Sequence, residues 1–156
     1  MVQLDPTTGL QVNDHSDWAV VRLGAVAEEV VSVVLDTCHF KGNFPESALV
    51  EGCYAPMAPG IPDDAKWFPI LARTRMKPHA EQSFARLDGA LTPESEGQLV
   101  SHVRLTIFPD GGISRIRIYG KGIEELPPLQ KMRRHKSVFN MMKSYVPDND
   151  TGDCSR

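Results

Sequence analysis

A chain of 156 residues with 17 Lys and Arg against 20 Asp and Glu, formal net charge -3, is long enough for one domain to bury a core without staples. That charge gives no global attraction to nucleic acid or to an anionic membrane, so neither is expected as a partner. Cys38, Cys53 and Cys154 have no zinc-type spacing, and an odd number speaks against a closed disulfide framework, which points to a reducing, cytoplasmic setting. No leader pattern opens the chain, and no apolar run approaches the roughly 20 residues of a membrane span.

Residues 1–17 read as a polar N-terminal arm, with Pro6, Gly9, Asn13 and Asp14. From Trp18 onward short apolar runs recur between turn residues: Trp18 to Leu23, Glu29 to Leu35, Ala48 to Tyr54, Trp67 to Arg75, Ser83 to Leu87, Leu99 to Phe108 and Ile113 to Tyr119. This spacing predicts an antiparallel all-β sandwich or barrel, with turns at Pro59-Gly60, Pro62-Asp63-Asp64 and Asp88-Gly89. Pro109-Asp110-Gly111-Gly112 lies between two alternating runs and predicts a hairpin over Ser101 to Gly120. A turn on Gly111-Gly112 would set Ile107 opposite Ile116 and Leu105 opposite Ile118, whereas one on Asp110-Gly111 would oppose Arg104 and Arg117. In that hairpin Arg104, Arg115 and Arg117 share the polar face. Residues 121–156 form a mildly basic extension, 7 Lys and Arg against 5 Asp and Glu after Gly120, in which Met132, Phe139, Met142 and Val146 suggest a short amphipathic helix.

The chemically dense segment is Asp36-Thr37-Cys38-His39-Phe40-Lys41-Gly42-Asn43-Phe44-Pro45-Glu46-Ser47, which follows the buried-strand pattern Val30 to Leu35. Acid, imidazole, ammonium and amide groups at a strand end suit a site held up by a rigid scaffold. The candidate catalytic residues are His39, Glu46, Asp36 and His79, and the candidate substrate-binding residues are Lys41, Asn43 and Arg104. Each has a bland alternative: Asp36 as a turn former, Lys41 as an exposed loop cation, Arg104 as part of a solvated sheet face, His102 as a strand-edge hydrogen bonder. Cys38 and Cys53 read as buried inert thiols. No H-x-H or H-E-x-x-H spacing is present, so no local metal motif exists, no cofactor is expected, and a divalent cation would have to be assembled across strands.

The loop above, Glu51-Gly52-Cys53, the Leu71 to His79 segment and the run Ser101 to Gly120 together resemble one repeat of the allantoicase family, over roughly 18–120. The resemblance implies a jelly-roll β-sandwich (galactose-binding-like) and hydrolysis of allantoate to ureidoglycolate and urea in purine breakdown. Allantoicases carry two repeats and this chain presents one, so an exposed repeat surface would favour a homo-oligomer. Allantoate has one carboxylate and two ureido groups on one carbon. Its hydrolysis asks for a cationic clamp (Lys41 or Arg104), a water activator (Glu46 or Asp36) and a proton donor (His39 or His79). Two other readings stay open: a non-catalytic small-ligand-binding module, and a structural partner of a two-repeat relative.

Overall fold

β-Branched and apolar residues continue through Ala25-Val26-Ala27, so the first two expected runs join into one 20-residue strand, β1 (Asp17–Asp36), in a computed structural model that describes residues 3–12, 15–58, 60 and 64–123. The other strands among the described residues are β2 (Ser47–Cys53), β3 (Phe68–Arg75), β4 (Glu81–Ala85), β5 (Val100–Phe108) and β6 (Arg115–Gly122), with a 3-10 turn at Pro93–Ser95. All pairings are antiparallel, in the order β3-β2-β5-β1-β4, with β6 also on β1. The all-β class expected from the sequence is the one observed.

β1 cannot be straight. Its first residue pairs near the end of β5 (Asp17 with Ile107) and its last pairs with the start of β6 (Asp36 with Arg115). A straight strand of this length would hold its ends about 60 Å apart, yet the six residues between β5 and β6 reach at most about 25 Å. The strand therefore bends, and its register with β5 breaks between Arg22 and Ala27. The first half of β1 joins the β3-β2-β5 layer, the second half joins β4 and β6, and the sheet curls over a shared core of Val30, Val33, Leu35, Ala48, Val50, Ile70, Leu71, Val100 and Val103.

This corrects the expected hairpin. β5 pairs with β1 and β2, and β6 pairs with β1, so Ile107 faces Asp17 and Ala48 while Ile116 faces Leu35. Apolar-to-apolar matching had not distinguished the two solutions, because Val33 and Leu35 oppose Ile118 and Ile116 as well as strand β5 would have done. Arg104, Arg115 and Arg117 consequently share no hairpin face: Arg104 binds Glu51, and Arg117 on β6 binds Glu81 on β4 at 2.7 Å, across β1. The N-terminal arm is also more than a linker. Asp5 accepts amide hydrogens from Thr7 and Thr8, Leu4 bridges Gln11, and Leu10 is buried. The helix expected at 129–146 and most of the turns at Pro59-Gly60 and Pro62-Asp63-Asp64 lie outside the described residues.

Cys53 is fully buried and burial pushes its thiol pKa up, as an inert core thiol should show, whereas Cys38 is only half-buried. His102 is buried on β5 with Nδ1 3.0 Å from Ser101 Oγ, and burial, assisted by the Arg22 charge, holds its pKa below the ordinary 6.5. The folded chain thus disfavours the imidazolium, so the unfolded state binds more protons and stability is lost as pH falls through that value. Thermal unfolding followed from roughly pH 7.5 to 5.5 should show a shallower loss of Tm in His102→Asn than in the parent; parallel profiles would show that His102 contributes nothing to the acid limb.

Candidate functional site

Three loops meet at one end of the curled sheet: 37–46 after β1, 76–80 between β3 and β4, and 109–114 between β5 and β6. Thr37 is fully buried and ties the first two together, its Oγ1 donating to the Lys77 carbonyl at 2.6 Å and its amide to the Ala80 carbonyl at 2.9 Å. The third loop is fastened to the first by Gly112 N–H to the Asn43 carbonyl, Ser114 N–H to the Asp36 carbonyl, and Glu46 N–H to the Phe108 carbonyl, each 2.8 Å. Gly111 and Gly112 serve this contact. A Cβ on Gly112 would lie 1.9 Å from the Phe40 ring, and Gly111, at φ +130°, approaches the Pro45 backbone.

The structure brings His39 and His79 together. The His39 amide donates to His79 Nδ1 at 2.8 Å, the His79 amide donates to the Phe40 carbonyl at 3.1 Å, and the rings lie edge to face with centroids 5.8 Å apart. An Nδ1 that accepts a hydrogen bond belongs to the neutral tautomer with its proton on Nε2. These two histidines are the non-glycine positions with positive φ among the described residues, 75° and 47°. Such backbone costs of order 1–3 kcal/mol per residue and persists where surrounding contacts enforce it, commonly at functional sites.

Glu46 begins the descent into β2 and sits between two arginines of β3. Its Oε2 is 3.4 Å from Arg73 Nη2 and its Oε1 3.4 Å from Arg75 Nη2, with the carboxylate side chain 13% exposed. Among the described residues no donor is aligned to hydrogen-bond Oε1. Arg73 is held on every side: Nε donates to Ser47 Oγ at 2.7 Å, Nη2 to the Gln11 carbonyl at 2.9 Å, and its guanidinium stacks 3.9 Å above the Phe108 ring. Arg75 reaches the Gly9 carbonyl and remains 60% exposed. A cleft of about 410 Å³ opens here, walled by Glu46, Arg75, Asn43, Met76, Gln11 and Asp110.

Of the residues singled out in the sequence, Glu46 and Asn43 line this cleft, and Lys41 is exposed beside it on the same loop. Asp36 is buried, and its Oδ1 accepts the Cys38 amide at 2.8 Å, the turn-forming geometry. Arg104 is not brought to the loops: Nε donates to Glu51 Oε2 at 2.7 Å and the guanidinium stacks 4.6 Å over Trp67. Arg73 and Arg75, which flank Glu46, join the candidate residues. Their signal was available, since two arginines two residues apart at the end of an apolar strand share a face. Among the described residues no group of three or more His, Cys, Asp and Glu is set to hold a metal ion.

The model of the allantoicase repeat matches residues 7–123, three quarters of the chain. This chain belongs to the allantoicase repeat family. It is 41% identical over 108 residues to a protein of Schizosaccharomyces pombe named "Probable allantoicase", covering 69% of this chain and 29% of that one. A protein of Acinetobacter baylyi with the same name is 42% identical over 104 residues, 67% of this chain and 28% of its own length. The crystal structure of allantoicase from Saccharomyces cerevisiae superposes with a TM-score of 0.55 at 34% identity, over 69% of this chain and 28% of that one. The chain thus spans under a third of the length of these allantoicases.

The matched stretch begins inside the arm and ends at β6, so it contains all three loops and the Gly9 and Gln11 carbonyls that anchor the arginines. Loop cohesion in this allantoicase repeat rests on Gly112. Gly112→Ala should lower the urea midpoint by an amount corresponding to about 1–3 kcal/mol with unchanged slope. Combined with Phe40→Leu it should cost less than the sum of the two single changes. Additive losses would mean that the ring and the glycine are not in contact.

Proposed function

We propose that this repeat hydrolyses allantoate to ureidoglycolate and urea, in the cytoplasm, with no nucleic-acid or membrane partner. The observation that carries the proposal is the family match across 7–123, a stretch that includes every residue walling the Glu46 cleft. The relatives' printed name, allantoicase, supplies the reaction. In it a C–N bond at the central carbon breaks, a C–O bond to water forms, and the departing nitrogen takes a proton to leave as urea.

The geometry favours particular members of each candidate pair. Glu46 suits the role of water activator better than Asp36, because it walls the cleft while the Asp36 carboxylate is buried and occupied by the Cys38 amide. Arg75, exposed in the cleft wall, and Lys41, exposed next to the Gly42 that lines it, suit the substrate carboxylate better than Arg104, which is committed to Glu51 and Trp67. Asn43 adds an amide that recognises a ureido group. His39, exposed and strained, suits delivery of a proton to the leaving nitrogen; His79 is occupied at Nδ1 by the His39 amide and orients it.

Purified chain incubated with allantoate should release urea. Glu46→Gln should lower kcat by about 10²–10⁴-fold, the usual worth of a positioned acid or base, and His39→Ala should act in the same direction. Arg75→Ala should raise KM more than it lowers kcat if it binds the carboxylate without entering the chemistry. A folded chain that binds allantoate but releases no urea would replace this proposal with the binding-module reading.

A further inference from the structure

The run Pro109-Asp110-Gly111-Gly112, which reads as a hairpin turn in the sequence, closes no hairpin, and its acid stands in the wall of the Glu46 cleft. Two residues before Asp110 the Phe108 carbonyl accepts the Glu46 amide, and two residues after it the Gly112 amide donates to the Asn43 carbonyl, each at 2.8 Å. Gly111, at φ +130°, packs on the Pro45 backbone. The backbone carrying Asp110 is therefore pinned on both sides to the loop that carries Asn43 and Glu46. Its carboxylate is not spent on the turn. Asp5 and Asp36 show what a turn-forming aspartate does in this chain, since each accepts the amide two residues on at 2.8 Å. Asp110 is exposed, and among the described residues its carboxylate takes part in no hydrogen bond or ion pair. An acid on a fixed backbone with both oxygens open to a cleft is available to a ligand.

We propose that Asp110, together with Asn43, forms a subsite for the ureido group that stays on the substrate, an inference that rests on the allantoate reading of this cleft. A ureido group presents two N–H bonds pointing the same way, one from its inner nitrogen and one from its terminal amide, with the carbonyl oxygen on the far side. Two coplanar donors match the two oxygens of one carboxylate, the fork geometry by which a guanidinium is also bound. The ureido carbonyl then asks for a donor, and Asn43, whose own backbone carbonyl holds Gly112, brings a side-chain amide to the same wall. Charge settles the rest of the orientation. Asp110 repels the substrate carboxylate and Arg75 attracts it, so a reversed placement loses at both positions. The departing group is the poorer fit for this subsite, because its nitrogen must gain a proton and a carboxylate that accepts N–H bonds has none to give.

Two probes of nearly equal shape test this, N-carbamoylglycine and N-acetylglycine, which share a carboxylate and an inner N–H and differ in a terminal NH2 against a methyl group. In titration calorimetry on the full chain, N-carbamoylglycine should bind about tenfold more tightly, the worth of one hydrogen bond to a charged group. Asp110→Ala should erase that preference. Asp110→Asn should do the same, since an amide offers one oxygen and turns a donor toward the fork. Both variants should keep the parent's urea midpoint, because the side chain is exposed and unpaired among the described residues. The proposal is overturned if the parent binds neither probe or shows no preference, if the preference survives both substitutions, or if both variants lose the midpoint and so make Asp110 a structural residue. Urea release from allantoate is measured alongside. A parent that prefers N-carbamoylglycine through Asp110 yet releases no urea supports the subsite and ends the hydrolase reading; a parent that releases urea while both variants keep the preference does the reverse.

Discussion

The bend in β1 is the constraint on which the rest of the molecule depends. One strand supplies an edge to β5 with its first half and to β4 and β6 with its second, so the two layers are one sheet folded at Leu23 to Val26. Because β5 and β6 grip opposite ends of the same strand, the six residues linking them must cross between layers and cannot close a hairpin. That crossing carries 109–114 against 37–46, where Gly112 admits the Phe40 ring. The cleft follows from the bend: without the crossing loop, neither Pro109 nor Asp110 would stand opposite Glu46.

Electrostatically the cleft sets two carboxylates, Glu46 and Asp110, against Arg75 in its wall, with Arg73 beside Glu46. One carboxylate, Glu46, lies within 3.4 Å of two guanidinium groups. Arg73 is immobilised by Ser47, Gln11 and Phe108, which lets it hold the carboxylate in place, while the largely exposed Arg75 is available to an incoming anion. A fixed cation behind the carboxylate and a reachable one in front is a useful division of labour for a substrate that brings its own negative charge.

Much of the fold was legible because strand periodicity and turn chemistry are local signals. Ala48 to Tyr54, Leu99 to Phe108 and Ile113 to Tyr119 became strands within a few residues of their expected limits, while Trp18 to Leu23 and Glu29 to Leu35 joined into one. What could not be read was which strand lies beside which. Ile116 and Ile118 satisfy the same apolar matching against Leu35 and Val33 as against β5, and nothing local separates a glycine that makes a turn from one that clears room for a ring. The site divided in the same way. The density of polar groups between Asp36 and Glu46 marked the loop, and the meeting of His39 with His79, 40 residues apart, is a tertiary fact that the sequence order only permitted. Arg104 was misleading for a related reason: an arginine opposite a glutamate on the next strand finds its partner within the sheet.

The arginine anchors to the N-terminal arm carry a further consequence for how the chain acquires its structure. Gly9 and Gln11 leave the ribosome first, Arg73 and Arg75 well after, and Asp110 near the end of the described chain, yet all three groups wall or brace one cleft. Every pairing of β1 likewise waits for strands made 45 or more residues later. Contacts of such long sequence separation impose a large loop-closure cost and slow folding. During synthesis, then, β1 has no strand to pair with until β4, and after it β5 and β6, have been made.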